Sequence, residues 1–187
     1  TDLRLIESLR PNLLQSVLAV DIEPGLIDAY QGEDLFIDAH RRLTGKGFWL
    51  SRLDVQGTAK MRQATFDRVR PLCNDIDLGG MVQAIRVTPG WVNARYLRTT
   101  RWLADMNADK AAYILLWIFA RLDEQVGFAL DVVVAYEERF GQDRWSIFMQ
   151  QDCLRALLLA RPARGSWGSL IRRCVPSWLK RGISQLR

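Results

Sequence analysis

Apolar positions along this chain change their period near residue 100. Before it, short apolar runs alternate with helical patterns; after it, long helix-like stretches follow one another. DLRLIESLRPNLLQ (2–15) reads as a helix around Leu5, Ile6 and Leu9, interrupted near Pro11. VLAVDI (17–22) is an apolar run closing on acids, which suits a strand buried on both faces of a sheet. Glu23-Pro24-Gly25 breaks it, because Pro removes a ladder donor and Gly permits a sharp turn. Leu35, Phe36, Ala39 and Leu43 then fall on one face of a helix that Gly45 and Gly47 stop. Phe48 to Leu53 resumes as a strand of large apolar residues. Strand, crossover helix and strand describe a βαβ-like unit of an α/β sheet, with the orientation of the second strand left open.

Further on, residues 58–75 suggest a short helix with Met61, Thr65 and Val69 on one side, and Asp77 to Met81 a turn. Residues 82–87 and 91–97 read as two strands with a turn at Pro89-Gly90. Three helices follow. The first, about 108–122, is expected to be capped by Asn107 with Asp109 in its opening turn, and to be buried because it is apolar on most sides. The second, about 123–140, stops at Gly141; the third, about 142–160, carries Trp145, Phe148, Met149, Cys153, Leu154 and Leu157. Short links make the three antiparallel neighbours in a helical layer. The expected organisation is an α/β part over 1–100, a helical extension over 101–160 and a basic amphipathic tail over 161–187.

Charge sharpens this division. Residues 1–100 hold 13 basic and 12 acidic side chains (+1), residues 101–160 hold 6 and 9 (−3), and residues 161–187 hold 7 and none (+7). A nucleic-acid domain spreads Lys and Arg over a folded face, so that class is set aside. In the tail, basic residues alternate with Trp167, Leu170, Ile171, Trp178, Leu179 and Ile183, a pattern at home at the boundary of water and anionic lipid. A helix docked on the domain with its charges in solvent accounts for the same pattern. With 49% hydrophobic and 25% charged residues, the chain is that of a folded protein. Cys73, Cys153 and Cys174 are dispersed and odd in number, which argues against a disulfide framework or zinc site and suits a reducing compartment. The apolar run Ala111–Ala120 is too short to span a bilayer, and residues 1–4 lack signal-peptide features. The expected location is cytoplasmic, peripheral to the inner membrane face. Lacking an initiator Met, the sequence is expected to miss the natural beginning of its protein.

Three segments also carry a family resemblance: Ile22-Glu23, then Tyr30-Gln31-Gly32-Glu33-Asp34-Leu35-Phe36, then Gly47-Phe48-Trp49-Leu50-Ser51-Arg52-Leu53. Together with Asn93-Ala94-Arg95-Tyr96-Leu97-Arg98, whose aromatic-Leu-Arg ending is like a final strand, they resemble FkbM-type methyltransferases over roughly the first hundred residues. The link from Glu23 to Tyr30 is longer than that family's pattern. The resemblance implies the later half of a Rossmann-like methyltransferase sheet, followed here by a helical extension. It also implies S-adenosylmethionine as cofactor and a hydroxyl acceptor on a sugar, glycan or natural product. The glycine-rich turn that holds such a cofactor is not in this sequence, so no cofactor-binding residue is assigned and this chain alone is expected to be inactive.

Asp21 and Glu23, at the carboxyl end of the proposed central strand, are the candidate catalytic acids. Alternate residues of a strand share a face, so their charges would couple and one could take a proton from an acceptor hydroxyl. The plainer reading makes them caps or ligands of local N–H groups. Tyr30 and Tyr96 are candidates to line the acceptor pocket, against the commoner case of buried rings with bonded hydroxyls. His40, the only histidine, lies beside Arg41 and Arg42 on a helix and reads as a surface residue. One histidine supports neither a Ser/His/Asp set nor a metal cluster. A rival to the enzyme is a non-catalytic interaction module that docks on a partner protein or membrane through the tail. A half-sheet with an open edge would also favour a homo-oligomer.

Overall fold

A computed structural model of the chain describes residues 2–27, 32–58, 60–73 and 86–159. Tyr30, the expected turn at 77–81, residues 82–85 of the strand expected over 82–87 and the tail at 161–187 lie outside the described residues, and Arg86 and Val87 precede β3 without being in a strand. The architecture is mixed α/β: one three-stranded antiparallel sheet and eight α-helices among the described residues. In chain order these are α1 (Asp2–Ser8), α2 (Pro11–Ser16), β1 (Ala19–Ile22), α3 (Phe36–Gly45), β2 (Phe48–Thr58), α4 (Gln63–Val69), β3 (Thr88–Arg98), α5 (Thr100–Asp105), α6 (Lys110–Leu122), α7 (Val126–Phe140) and α8 (Arg144–Leu159).

Pro11 does not merely interrupt the first helix. It occupies the opening position of α2, where its missing N–H costs nothing. The strand order is β1-β3-β2, and β3 runs antiparallel to both neighbours. β1 and β2 are therefore parallel to each other, linked through α3, but do not pair. The orientation left open by the sequence is thus parallel, with β3 lying between the two strands. One correction concerns Pro89-Gly90, which lies inside β3 rather than between two strands. Pro89 is tolerated because it sits opposite Gly57, at an irregularity near the frayed end of the ladder.

The two sheet faces have different covers. On one, Val20 and Ile22 of β1 and Val92, Ala94 and Tyr96 of β3 pack with Leu3 and Ile6 of α1 and Ala39 and Leu43 of α3. On the other, Leu97 and the neighbouring Leu18 meet Leu103 of α5, Leu116 and Ala120 of α6, Val132, Val133 and Tyr136 of α7, and Met149 and Cys153 of α8. Replacing a fully buried leucine such as Leu43 or Leu116 by Ala would cost about 2–5 kcal/mol. The α4 helix forms as expected but turns Phe66 inward, leaving Met61 exposed, because the aromatic ring removes more apolar area from water than Met61, Thr65 and Val69 can.

Arg98 joins the two cores. It is 2% exposed, its guanidinium sandwiched between the rings of Phe48 (3.7 Å) and Trp102 (3.8 Å). It donates to the carbonyls of Val17 (2.9 Å), Leu14 (2.8 Å) and Lys46. Desolvation brings this group down to about 10, so it stays charged at neutral pH. Beside it, Gly47 turns the chain from α3 into β2 at φ 85°, and a Cβ there would run into the Trp102 ring.

Candidate functional site

Beyond the edge of the helical layer, the second sheet face is left uncovered and turns polar. Register sets what meets there. Asp21 of β1 lies opposite Arg95 of β3, and Arg95 lies opposite Arg52 of β2. Ser51 is an extra residue in β2, and the bulge it makes puts Arg52 on the same face as Arg95. The bulge is held by Ser51 Oγ donating to the Arg95 carbonyl (3.2 Å) and Gln125 Nε2 donating to the Ser51 carbonyl (2.6 Å). Two guanidiniums side by side on neighbouring strands repel, and each is matched by carboxylates. Arg95 forks onto Asp21 through Nε (2.8 Å) and Nη2 (2.9 Å), while its Nη1 reaches Asp123 Oδ1 at 3.1 Å. Arg52 Nε bonds Asp54 at 2.8 Å. The hydrogen bond to Asp21 holds the Arg95 guanidinium well above the usual arginine value.

Asp21, Arg52, Asp54 and Arg95, together with Asp2, Glu23 and Asn93, line an open cleft of about 610 Å³ beyond the carboxyl end of β1. Four carboxylates (Asp2, Asp21, Glu23, Asp54) against two guanidiniums (Arg52, Arg95) give it a net charge of −2. Such a cleft repels phosphates and suits a neutral or cationic ligand rich in hydroxyl groups.

The two candidate acids part company here. Asp21 is committed to Arg95 by an ion pair at 2.8 Å, whereas Glu23 is not part of that pair. Glu23 lies just past β1. Its amide donates to Asp2 Oδ2 at 3.2 Å, while its exposed carboxylate has no hydrogen bond or ion pair among the described residues. Of the four cleft carboxylates it is the one with neither oxygen bonded among the described residues. Tyr96 is fully buried and does not line the cleft. Its side chain points to the opposite sheet face, where its hydroxyl and His40 Nδ1 share a hydrogen bond at 3.2 Å and burial pushes its phenol up to about 12. His40 is half-buried between Phe36 and Tyr96, at ring-centroid distances of 5.6 and 5.9 Å, rather than on the surface.

Sequence reasoning missed Arg52, Asp54, Arg95 and Asp123. The alternation Asn93-Ala94-Arg95 was the available signal, since a polar residue at every second strand position marks a shared open face. Asp123, with a side chain of zero exposure and Oδ2 unpaired, carries no such mark; it comes from the link between α6 and α7. The described residues include no group of three or more His, Cys, Asp and Glu placed to hold a metal ion. Compared with family models, with curated proteins and with solved structures, the chain finds no match.

Proposed function

We propose that this chain is the acceptor-side, C-terminal portion of an S-adenosylmethionine-dependent O-methyltransferase acting on a hydroxyl of a sugar, glycan or natural product. The observation that carries the reading is the cleft beyond β1, with the unpaired Glu23 carboxylate beside the fixed Arg95–Asp21 pair. Support for the sheet as the closing part of a larger Rossmann-like one comes from β1 and β2. They are parallel, linked through a helix, and β1 has no strand on its outer edge among the described residues. Mixed sheets occur among doubly wound folds, and here the antiparallel strand, β3, lies between the two parallel ones. The described residues do not fit the cofactor, for they offer no glycine-rich turn opening a helix at the cleft, and the cofactor's site is assigned to chain other than these residues. In this reading Glu23 accepts a hydrogen bond from the acceptor hydroxyl, while Arg95, locked by Asp21 and Asp123, donates no free fork and acts by shaping the wall.

A titration with S-adenosylmethionine should give no binding heat, and saturation-transfer NMR should show neutral sugars contacting the protein. Glu23→Gln should weaken the best sugar about tenfold, the loss of one charge-assisted hydrogen bond. Tight cofactor binding by this chain would overturn the acceptor-side assignment, and a panel with no sugar signal would overturn the substrate class. A second reading, a non-catalytic interaction module, is favoured by the outer face of α6. There Leu115, Ile118 and Leu122 are 47%, 37% and 72% exposed, contrary to the expectation that this helix is buried.

A further inference from the structure

Among the described residues no strand pairs with the outer edge of β2. The direction of its backbone groups follows from the β1–β3 ladder. The Arg98 amide donates to the Leu18 carbonyl and the Val92 amide to the Pro24 carbonyl, so even-numbered residues of β3 bond toward β1. The odd-numbered ones therefore bond toward β2, and Ala94 and Val92 are non-bonded partners of Leu53 and Val55. The N–H and C=O groups of Leu53 and Val55 thus point outward, away from β3. Their side chains share a sheet face with Ala94 and Val92. Ala94 and Val92 are buried, whereas Leu53 and Val55 are 40% and 54% exposed, so the core stops short of this edge.

Charge indicates what fits there. Arg52 and Asp54 flank Leu53 on the other sheet face, where both line the cleft. Arg52 Nε bonds Asp54 Oδ2 at 2.8 Å, while Arg52 Nη1 and Nη2 and Asp54 Oδ1 have no partner among the described residues. Bulges and charged residues are the usual means of blunting an edge. Here, however, the charges are of opposite sign and two residues apart, which makes them self-complementary about the residue between. In an antiparallel pair of β2 strands with Leu53 opposite Leu53, each Arg52 falls opposite the partner's Asp54. The two Leu53 backbones then exchange N–H···O=C bonds, as their outward direction requires. Centring the pair on Val55 would set Asp54 opposite Gln56 and lose the match. We infer that the protein forms a twofold dimer through β2, centred on Leu53, in which two three-stranded sheets become one. The partner's Arg52 and Asp54 then stand beside the cleft, and the two clefts adjoin across the axis. This inference does not depend on the methyltransferase reading, whose further strands belong beside β1.

The test is sedimentation equilibrium of the full chain from micromolar to millimolar concentration. A monomer–dimer equilibrium is expected, and it should weaken as salt rises. Arg52→Asp or Asp54→Arg alone sets like charges opposite each other twice per dimer and should weaken association about tenfold. The double variant, Arg52→Asp with Asp54→Arg, again places opposite charges across the axis and should recover most of the parent's affinity. Leu53→Pro removes the amide that pairs with the partner, and an edge strand tolerates it, so the dimer should be lost at unchanged circular dichroism. A chain monomeric throughout the range would overturn the inference, as would a dimer that neither single reversal weakens. A double variant no tighter than the single ones would overturn it too, because the match across Leu53 would then not be what holds the copies together.

Discussion

At the residue scale, two charged side chains decide local stability for opposite reasons. Arg98 is a cation with no carboxylate partner among the described residues, stabilised by two aromatic faces and three carbonyl oxygens. Methionine could fill part of its volume but would leave the carbonyls of Leu14, Val17 and Lys46 without their donor. Arg98→Met should therefore lower stability by about 3 kcal/mol or more in urea unfolding, and Arg98→Lys should recover only part of it, because an ammonium cannot form the planar sandwich. Asp143 does the reverse, satisfying others. One oxygen accepts from Lys110 Nζ and the Tyr136 hydroxyl, both at 2.7 Å, and the other caps α8 through the amides of Trp145 and Ser146. Lys110, then Tyr136, holds its carboxyl well below the ordinary value of 3.8. A group depressed in the folded state stabilises above its unfolded value and loses that contribution as pH falls toward the folded one. Stability should fall as the solution is acidified below about pH 4, the range where a free carboxylate takes its proton. Asp143→Asn should flatten that part of the profile in acid-titrated thermal melts.

At the element scale, caps and bulges explain both what was legible and what was not. The sequence contains two residues able to open α6, Asn107 and Asp109. The structure gives the cap to Asp109, which accepts from the Ala112 amide at 2.9 Å, and uses Asn107 at φ 54° to close the short α5. Asn tolerates that left-handed conformation, so the residue that looks like a starter serves as a stop. Asp109→Ala should cost about 1 kcal/mol by chemical denaturation, while Asn107→Gly should be nearly neutral on the backbone and show only the loss of its bond to Arg139. Long periodic stretches were readable: α3, α7 and α8 lie where apolar spacing places them, and Gly141 ends α7. α5 was not, because six residues carry too few turns for a period. Neither was the exposed side of α6, since hydrophobicity alone reports a wish to be buried and not whether enough surface exists to meet it. The site was half legible. Strand alternation pointed to Asp21 and Glu23, but their partners come from β2, β3 and the α6–α7 link, whose distances in sequence no local pattern encodes. Ser51 hid Arg52 further, as one bulge reverses the expected facing of every later β2 residue.

At the scale of the whole molecule, the architecture is a small sheet held between a helix pair and a helical layer, with its polar cleft where the layer stops short. The cleft's net −2 offers a neutral sugar hydrogen bonds and no charge partner, so salt should have little effect on sugar binding there. β3 has another consequence, seen when the protein is made. It is the last strand in sequence among the described residues and the central one in space, touching β1 and β2 while they do not touch each other. When residue 87 has left the ribosome both outer strands are out, and the strand that bridges them in the described sheet is not. Until residue 98 emerges the edges of β1 and β2 that β3 pairs with lack that partner, and the helical layer that covers Leu97 is still to come. Chains stopped before β3 should show no sheet by circular dichroism and be cut rapidly by protease, whereas those extended through Leu159 should resist. In the described part of this chain, the strand that joins the sheet is the last of its strands to be made.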